Sequence, residues 1–147
     1  MHRCLDPGLS IIVGAVDAHG QPSTCRAIAI DSPDDLETLK VFLPVATSHQ
    51  TIKNVATTKR LAVVATYPLD NSATQLKGQA IEARLASEQE GVFVRDRLEA
   101  FIGSLRGFGV PGRIAGSLAH WPAFAVTIRV EQIFEQTPGP NAGRRIR

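Results

Sequence analysis

Aromatic residues, cysteine and net charge are all scarce in this chain, and it has no long apolar run. Its 147 residues include six Phe, one Trp and one Tyr, too few to build the stacked platform on which unpaired bases are read. Lys and Arg number 16 against 14 Asp and Glu, a formal charge of +2, which leaves no electrostatic footprint for nucleic acid. Three of those positive charges, Arg144, Arg145 and Arg147, lie in the last four residues, so the remainder carries 13 positive and 14 negative charges. The basic bias therefore belongs to the "GRRIR" ending, and short terminal runs of this kind are ordinarily solvated.

The longest apolar stretch, Leu9 to Val16 with Ser10 inside it, is far short of the ~20 residues a spanning helix needs. His2 and Arg3 precede it and small residues follow, as in a signal peptide. Asp6-Pro7-Gly8 breaks that leader pattern, and the run reads better as the first strand of a hairpin. Cys4 and Cys25 have no metal-ligand spacing and read as inert thiols of a cytoplasmic protein. The histidines, His2, His19, His49 and His120, are scattered, and no G-x-S-x-G, H-E-x-x-H or P-loop string occurs. Neither a metal centre nor a hydrolytic triad is indicated.

What remains is a globular composition, 44% hydrophobic and 20% charged, expected to form one domain over residues 1–147 with a polar basic tail from about 135. Ser10 to Val16 and Ser23 to Ile30 read as strands around the turn Asp17 to Pro22. A third strand lies around Leu39 to Leu43 and ends at Pro44. Ile52, Val55 and Ala56 give His49 to Lys59 an amphipathic helical spacing, with Ser48 as N-cap. Leu61 to Tyr67 is nearly continuous in apolar residues, the pattern of a strand covered on both faces. Gln75 to Leu85 follows as a strand, and Gly78 inside it marks a bulge or the close approach of a backbone or ligand.

Ser87-Glu88-Gln89-Glu90 is a capping box opening a helix with Val94, Leu98, Phe101, Ile102 and Leu105 as its buried stripe and Gly107 as its stop. A Gly- and Pro-rich stretch with a short helical turn near Ile114 to Leu118 leads to the last strand, where Phe124, Val126, Ile128 and Val130 alternate with polar residues. Six strands without regular strand-helix alternation imply a mainly β fold, an antiparallel barrel with two flanking helices.

Three features point to anion binding. The segment Thr47-Ser48-His49-Gln50-Thr51 opens the first helix, where unpaired N–H groups and a partial positive charge suit a phosphate; capping alone would account for these residues equally well. Arg26 is a permanent cation inside the apolar strand Cys25 to Ile30, which needs an anion, an ion pair or water. Lys77, beside Gly78, is a weaker third candidate.

This arrangement, with Arg26 in "STCRAIAI", Thr47-Ser48 entering the first helix and the "QLKG" strand, resembles the pyridoxamine 5'-phosphate oxidase-like, FMN-binding split-barrel superfamily from about Ser10 to Phe134. The resemblance implies a six-stranded split barrel, an FMN cofactor, a homodimer with the flavin between its subunits, and oxidoreductase activity on a small organic substrate. It places Arg26, Ser48, His49 and Gln50 at the phosphate, Lys53 in support, and Gln75 or Lys77 near the ring. It names no catalytic side chain. The chain departs from the family where His49 and Gln50 replace two cations, where Asp31 replaces a lysine, and where Gln75 sits two residues closer to Gly78. Those departures keep open a non-catalytic dimer that binds flavin weakly, or binds haem through His49 or His120, as carrier or sensor.

Overall fold

The computed structural model describes residues 5–33 and 35–147; Cys4, His2 and Arg3 lie outside that set. Seven strands and three helices follow in the order β1 (Ser10–Val16), β2 (Pro22–Ala27), β3 (Ala29–Asp31), β4 (Thr38–Pro44), α1 (His49–Thr58), β5 (Arg60–Thr66), β6 (Ala73–Leu85), α2 (Glu88–Gly107), α3 (Gly112–Ala115) and β7 (Ala123–Glu135). All pairings are antiparallel, and the sheet order is β2-β1-β5-β6-β7-β4-β3. The fold is the curled antiparallel sheet of a split barrel.

The sequence pattern suggests six strands because Ser23 to Ile30 reads as one. In the fold that stretch is divided at Ile28, whose N–H donates to the Phe42 carbonyl at 2.9 Å. Residues before the break pair with β1, and residues after it pair with β4. One continuous piece of chain thus forms both edges of the sheet, and this closes the barrel. The helix count rises from two to three because the turn expected near Ile114 is a short helix, α3.

Alternation sends Ile11, Val13, Leu39, Val41, Leu61, Val63, Leu76, Val126 and Ile128 into the barrel interior, together with Val55 from α1. A second cluster lies outside the barrel, where Val94 and Leu98 of α2 pack on Ile28, Ala29, Phe42, Ala123 and Ala125. α2 therefore covers the outer face of β3, β4 and the start of β7. Among the described residues no element covers the outer face of β1, β5 and the first half of β6. Ile12 and Val16 stand 38% and 37% exposed there.

Helix α2 is anchored at its first turn. Ser87 Oγ accepts from the Glu90 N–H at 3.2 Å, and the Glu90 carboxylate accepts from the Ser87 N–H at 2.8 Å. The same carboxylate takes both arms of Arg84 from β6 and Lys40 from β4, each at 2.8 Å. One side chain therefore caps the helix and ties it to two strands. The Arg84 guanidinium, ahead of Lys40 and the Ser87 N–H, holds the Glu90 carboxyl well below the usual range, against the opposing effect of burial.

Two other elements differ from their sequence patterns. In α1 the buried residues are Thr51, Asn54 and Val55, with Ile52 half-buried and Ala56 exposed. The helix is turned so that a polar edge meets β2, because Thr51 Oγ1 and Asn54 Nδ2 both donate to Ser23 Oγ, at 3.2 and 2.9 Å. The tail is also not free. Its backbone runs back along β7, with Ile133 N–H donating to Arg147 O at 2.9 Å and Ile146 N–H to Ile133 O at 2.7 Å. Arg147 donates to the carbonyls of Asp35 and Leu36, while Arg144 and Arg145 stay exposed. No helix among the described residues is long and apolar enough to cross a membrane.

Gly78 is explained by the bulge between Lys77 and Gly78, where a Cβ would overlap the Arg129 carbonyl of β7. The close approach is by backbone. Gly78→Ala is accordingly expected to lower unfolding free energy by ~1 to 3 kcal/mol, the usual penalty of overpacking, measured by chemical denaturation. A group whose pKa is depressed on folding stabilises the fold above its unfolded value and loses that contribution as pH falls toward its folded value. Stability should therefore decline as pH drops below about 4.3, the ordinary Glu value. In Glu90→Gln the thermal midpoint should be lower at neutral pH and less sensitive to acid across that window.

Candidate functional site

Three residues with anion-binding or ring-contacting chemistry lie on the outer side of the sheet, Gln75 and Lys77 on its uncovered part and Arg26 at the margin beside Phe101 of α2. Register places Arg26 opposite Ile12, Ile12 opposite Val64, Val64 opposite Gln75 and Gln75 opposite Phe134. Arg26 and Gln75 are thus three strand spacings apart, roughly 14 Å. A parallel row runs Thr24, Gly14, Ala62, Lys77, Gln132.

Arg26 is a half-buried cation, and no carboxylate among the described residues pairs with it. Its guanidinium donates one long hydrogen bond to Ser10 Oγ at 3.4 Å and lies 4.9 Å from the centre of the Phe101 ring of α2. Burial pushes its pKa down, because desolvation penalises the charged form. The stacking is favourable but neutralises nothing, so the charge remains available to an anion.

Gln75 accepts from Gln136 Nε2 at 3.4 Å. With Asn71, Val64, Thr66, Ala73 and Pro138 these amides line a hollow of about 480 Å³. Lys77, two residues further along β6, stacks its ammonium 4.8 Å from the Phe134 ring centre. It borders a second hollow of about 300 Å³.

The α1 entrance is a separate group. Ser23 and Cys25 face α1 from the inner side of β2, whereas Arg26 points outward with Ile12. No recorded contact joins Arg26 to Ser48, His49 or Gln50. Ser48 stands at the N-cap position without making the cap: it is 0% exposed and its Oγ has no hydrogen-bond partner among the described residues. The first bond of the helix is Ile52 N–H to Ser48 O at 2.8 Å, which leaves the N–H groups of His49, Gln50 and Thr51 without a recorded acceptor among the described residues. Helix N–H groups without an acceptor are donors of the kind that suit an anion. His49 and Lys53 are exposed, and Gln50 Nε2 donates to Asn54 Oδ1 at 2.9 Å.

Cys25 sits in the barrel wall, where burial pushes its thiol pKa up against a weaker opposing hydrogen bond from Thr51. The thiolate is disfavoured, and with it thiol chemistry. His120 Nδ1 lies 3.2 Å from Leu118 O and donates to it in the tautomer protonated at Nδ1. Among the described residues no three His, Cys, Asp or Glu side chains gather as a metal site. The amide hollow, with Asn71 and Gln136, is not evident from the sequence: both residues lie outside the strand that carries Gln75, and only chain folding brings them to it.

No family model matches the sequence, and no curated protein matches it. Solved structures do. HupZ of Group A Streptococcus superimposes with a TM-score of 0.57 at 22% identity, covering 97% of this chain and 96% of that one. An F420 reductase gives 0.57 at 12% identity, covering 88% and 92%. A protein related to general stress protein 26, of the pyridoxinephosphate oxidase family, from Clostridium acetobutylicum gives 0.53 at 11%, covering 95% and 86%. At these identities the likeness is one of fold, and it is the split barrel over nearly the whole chain.

Proposed function

We propose that this protein is a dimeric split-barrel flavoprotein that binds FMN, or a cofactor of the same flavin type, and uses it in an oxidoreduction of a small organic molecule. The observation that carries the reading is Arg26, a half-buried guanidinium without a carboxylate partner among the described residues, at the margin of a broad sheet face that no other described element covers. The F420 reductase and the pyridoxinephosphate oxidase relative lend support by sharing the fold.

The donor chemistry fits such a cofactor. Arg26 supplies a permanent charge to a phosphate; the α1 entrance, apart from it, is a separate set of donors made of the buried Ser48 Oγ, the N–H groups of His49, Gln50 and Thr51, and Lys53 one turn on. Gln75, Gln136 and Asn71 offer the donor and acceptor amides that the pyrimidine edge of a flavin ring requires. Lys77 adds positive charge beside them. When bound, the flavin would carry the electron transfer, and the protein would orient it and tune it electrostatically.

The uncovered face is the reason for proposing a dimer. Ile12, Val16, Ala62 and Val64 present apolar surface outward on strands whose inner residues already fill the barrel. The continuous apolar pattern of Leu61 to Tyr67 implies cover on both faces, and the described residues cover one. A second copy would supply the other. Sedimentation should show a dimer, and Ile12→Lys with Val64→Lys should convert it to a monomer that keeps its strand content by circular dichroism. A wild-type monomer at micromolar concentration would overturn this part.

For the cofactor, flavin fluorescence quenching should report FMN uptake. Arg26→Ala should weaken it by ~1.5 to 3 kcal/mol, the scale of a hydrogen bond to a charged group. Ser48→Ala removes a hydroxyl that satisfies nothing among the described residues, so the fold should not suffer, and any loss of FMN affinity measures what the α1 entrance contributes. A colourless protein that takes up no FMN would overturn the reading.

A further inference from the structure

On one of its two sides β6 is paired for only part of its length. β7 follows it from Thr74 to Leu85, but β5 ends at the pair of Arg60 and Gln79, with a last bond from Ala80 N–H to Lys59 O at 2.8 Å. At the far end Ala86 N–H donates to Ala123 O at 2.9 Å, and the chain leaves the sheet for α2. Between these points Ile81 to Leu85 form a free edge, and all five residues are exposed. The Ala86 bond fixes the alternation: Glu82, Arg84 and Ala86 direct their backbone groups to β7, so those of Ala83 and Leu85 face outward. Arg84 Nη1 donates to the Leu85 carbonyl at 3.1 Å. Among the described residues no strand takes the outward N–H and C=O of Ala83 or the N–H of Leu85.

Exposed edges are ordinarily protected by a bulge, by shortness or by charge. This one has a bulge between Ala80 and Glu82 and carries two charges, but they are of opposite sign and symmetrically placed. The stretch Ala80-Ile81-Glu82-Ala83-Arg84-Leu85-Ala86 reads in the same residue classes from either end about Ala83, with the charge reversed in sign. The free length of edge has that same centre. Two copies laid antiparallel about a two-fold axis at Ala83 bring Glu82 opposite Arg84 twice, and set Ile81 beside Leu85 twice, residues now 54% and 61% exposed. Ala83 then meets its own copy as a hydrogen-bonded pair, which is what its outward groups require. Arg84 also has a donor to spare: its terminal nitrogens go to Glu90, while Nε has only Glu82 of its own strand, at 3.8 Å.

We infer that Ile81 to Leu85 is a self-pairing edge, through which two copies of this chain join their sheets antiparallel about Ala83. The contact uses a strand edge and not the outer face of β1, β5 and the first half of β6, and it stands whether or not the flavin reading holds. A pairing this short is a small interface, well under the ~1,200 Å² of stable ones. It therefore forms at higher concentration than the face contact, and it joins molecules that the face contact has already paired.

Sedimentation over a concentration series tests this. Ile12→Lys with Val64→Lys, which removes the face contact, should be monomeric at micromolar concentration and pair on the order of 0.1 to 1 mM, the weak regime of small interfaces. Wild-type protein should form species larger than a dimer over the same range. Ala83→Pro deletes the outward N–H and no bond to β7, so the fold should hold and this association should vanish. Glu82→Arg sets like charges across the axis and should weaken the association roughly threefold to tenfold; it decides the matter if the proline variant fails to fold. Hydrogen exchange locates the contact. In dilute protein the Ala83 amide should exchange faster than those of Glu82 and Arg84, and concentration should slow it selectively. Protein that shows no such association up to about 1 mM, or association that ignores both substitutions or leaves the Ala83 amide unprotected, would overturn the inference. A wild-type monomer at micromolar concentration that pairs through this edge at higher concentration would uphold it while removing the face dimer.

Discussion

The whole architecture depends on one strand serving two sheet edges. Between Pro22 and Asp31 the backbone pairs first with β1 and then, past Ile28, with β4. An open antiparallel sheet would expose two rows of unpaired N–H and C=O groups; here both rows end on the same stretch of chain. Closure also creates the inside and outside of the barrel. It fixes which residues of β2 look inward to α1, Ser23 and Cys25, and which look outward, Thr24 and Arg26. The separation of the α1 entrance from Arg26 follows from that alternation alone.

The two helices then divide the remaining surface unequally. α1 seats Val55 in the interior and satisfies its buried Thr51 and Asn54 on Ser23. α2 lies across β3, β4 and β7, held by a carboxylate that caps the helix and engages Arg84 and Lys40 at once. A charge so fully hydrogen-bonded costs little to keep partly buried, whereas the loss of either partner leaves it uncompensated. Because α2 is fixed there, the face of β1, β5 and β6 stays open, and both hollows lie on that face.

Much of this fold is legible from residue order. Alternation marks β7, the Ser87–Glu90 spacing marks the start of α2, and Gly78 marks a bulge. Arg26 stands out because a permanent cation in an apolar strand demands a partner. Other features are hidden for physical reasons. The break at Ile28 leaves no mark, since a strand that changes partners keeps its extended conformation and apolar content. The face of α1 is misjudged by apolar periodicity, because hydrogen bonds to Ser23 make Thr51 and Asn54 cheaper to bury than Ala56. The tail reads as solvated from its charge, yet its backbone groups find acceptors and donors along β7 where β4 has ended.

The sequence by itself determined the kind of fold this is: mainly β, with two main helices whose starts are recognisable, and with a cation in an apolar strand at Arg26 and polar donors at the entrance of α1. Those properties are local, set by alternation, capping chemistry and the cost of an unpaired charge. Tertiary structure alone decided which of these residues share a surface. Arg26, Gln75 and Lys77 lie on one outer side because strand register aligns β2, β1, β5 and β6, while Ser48, His49 and Gln50 sit apart at the start of α1, which packs on the inner side of β2. Register and closure are long-range pairings, and no short stretch of sequence encodes them.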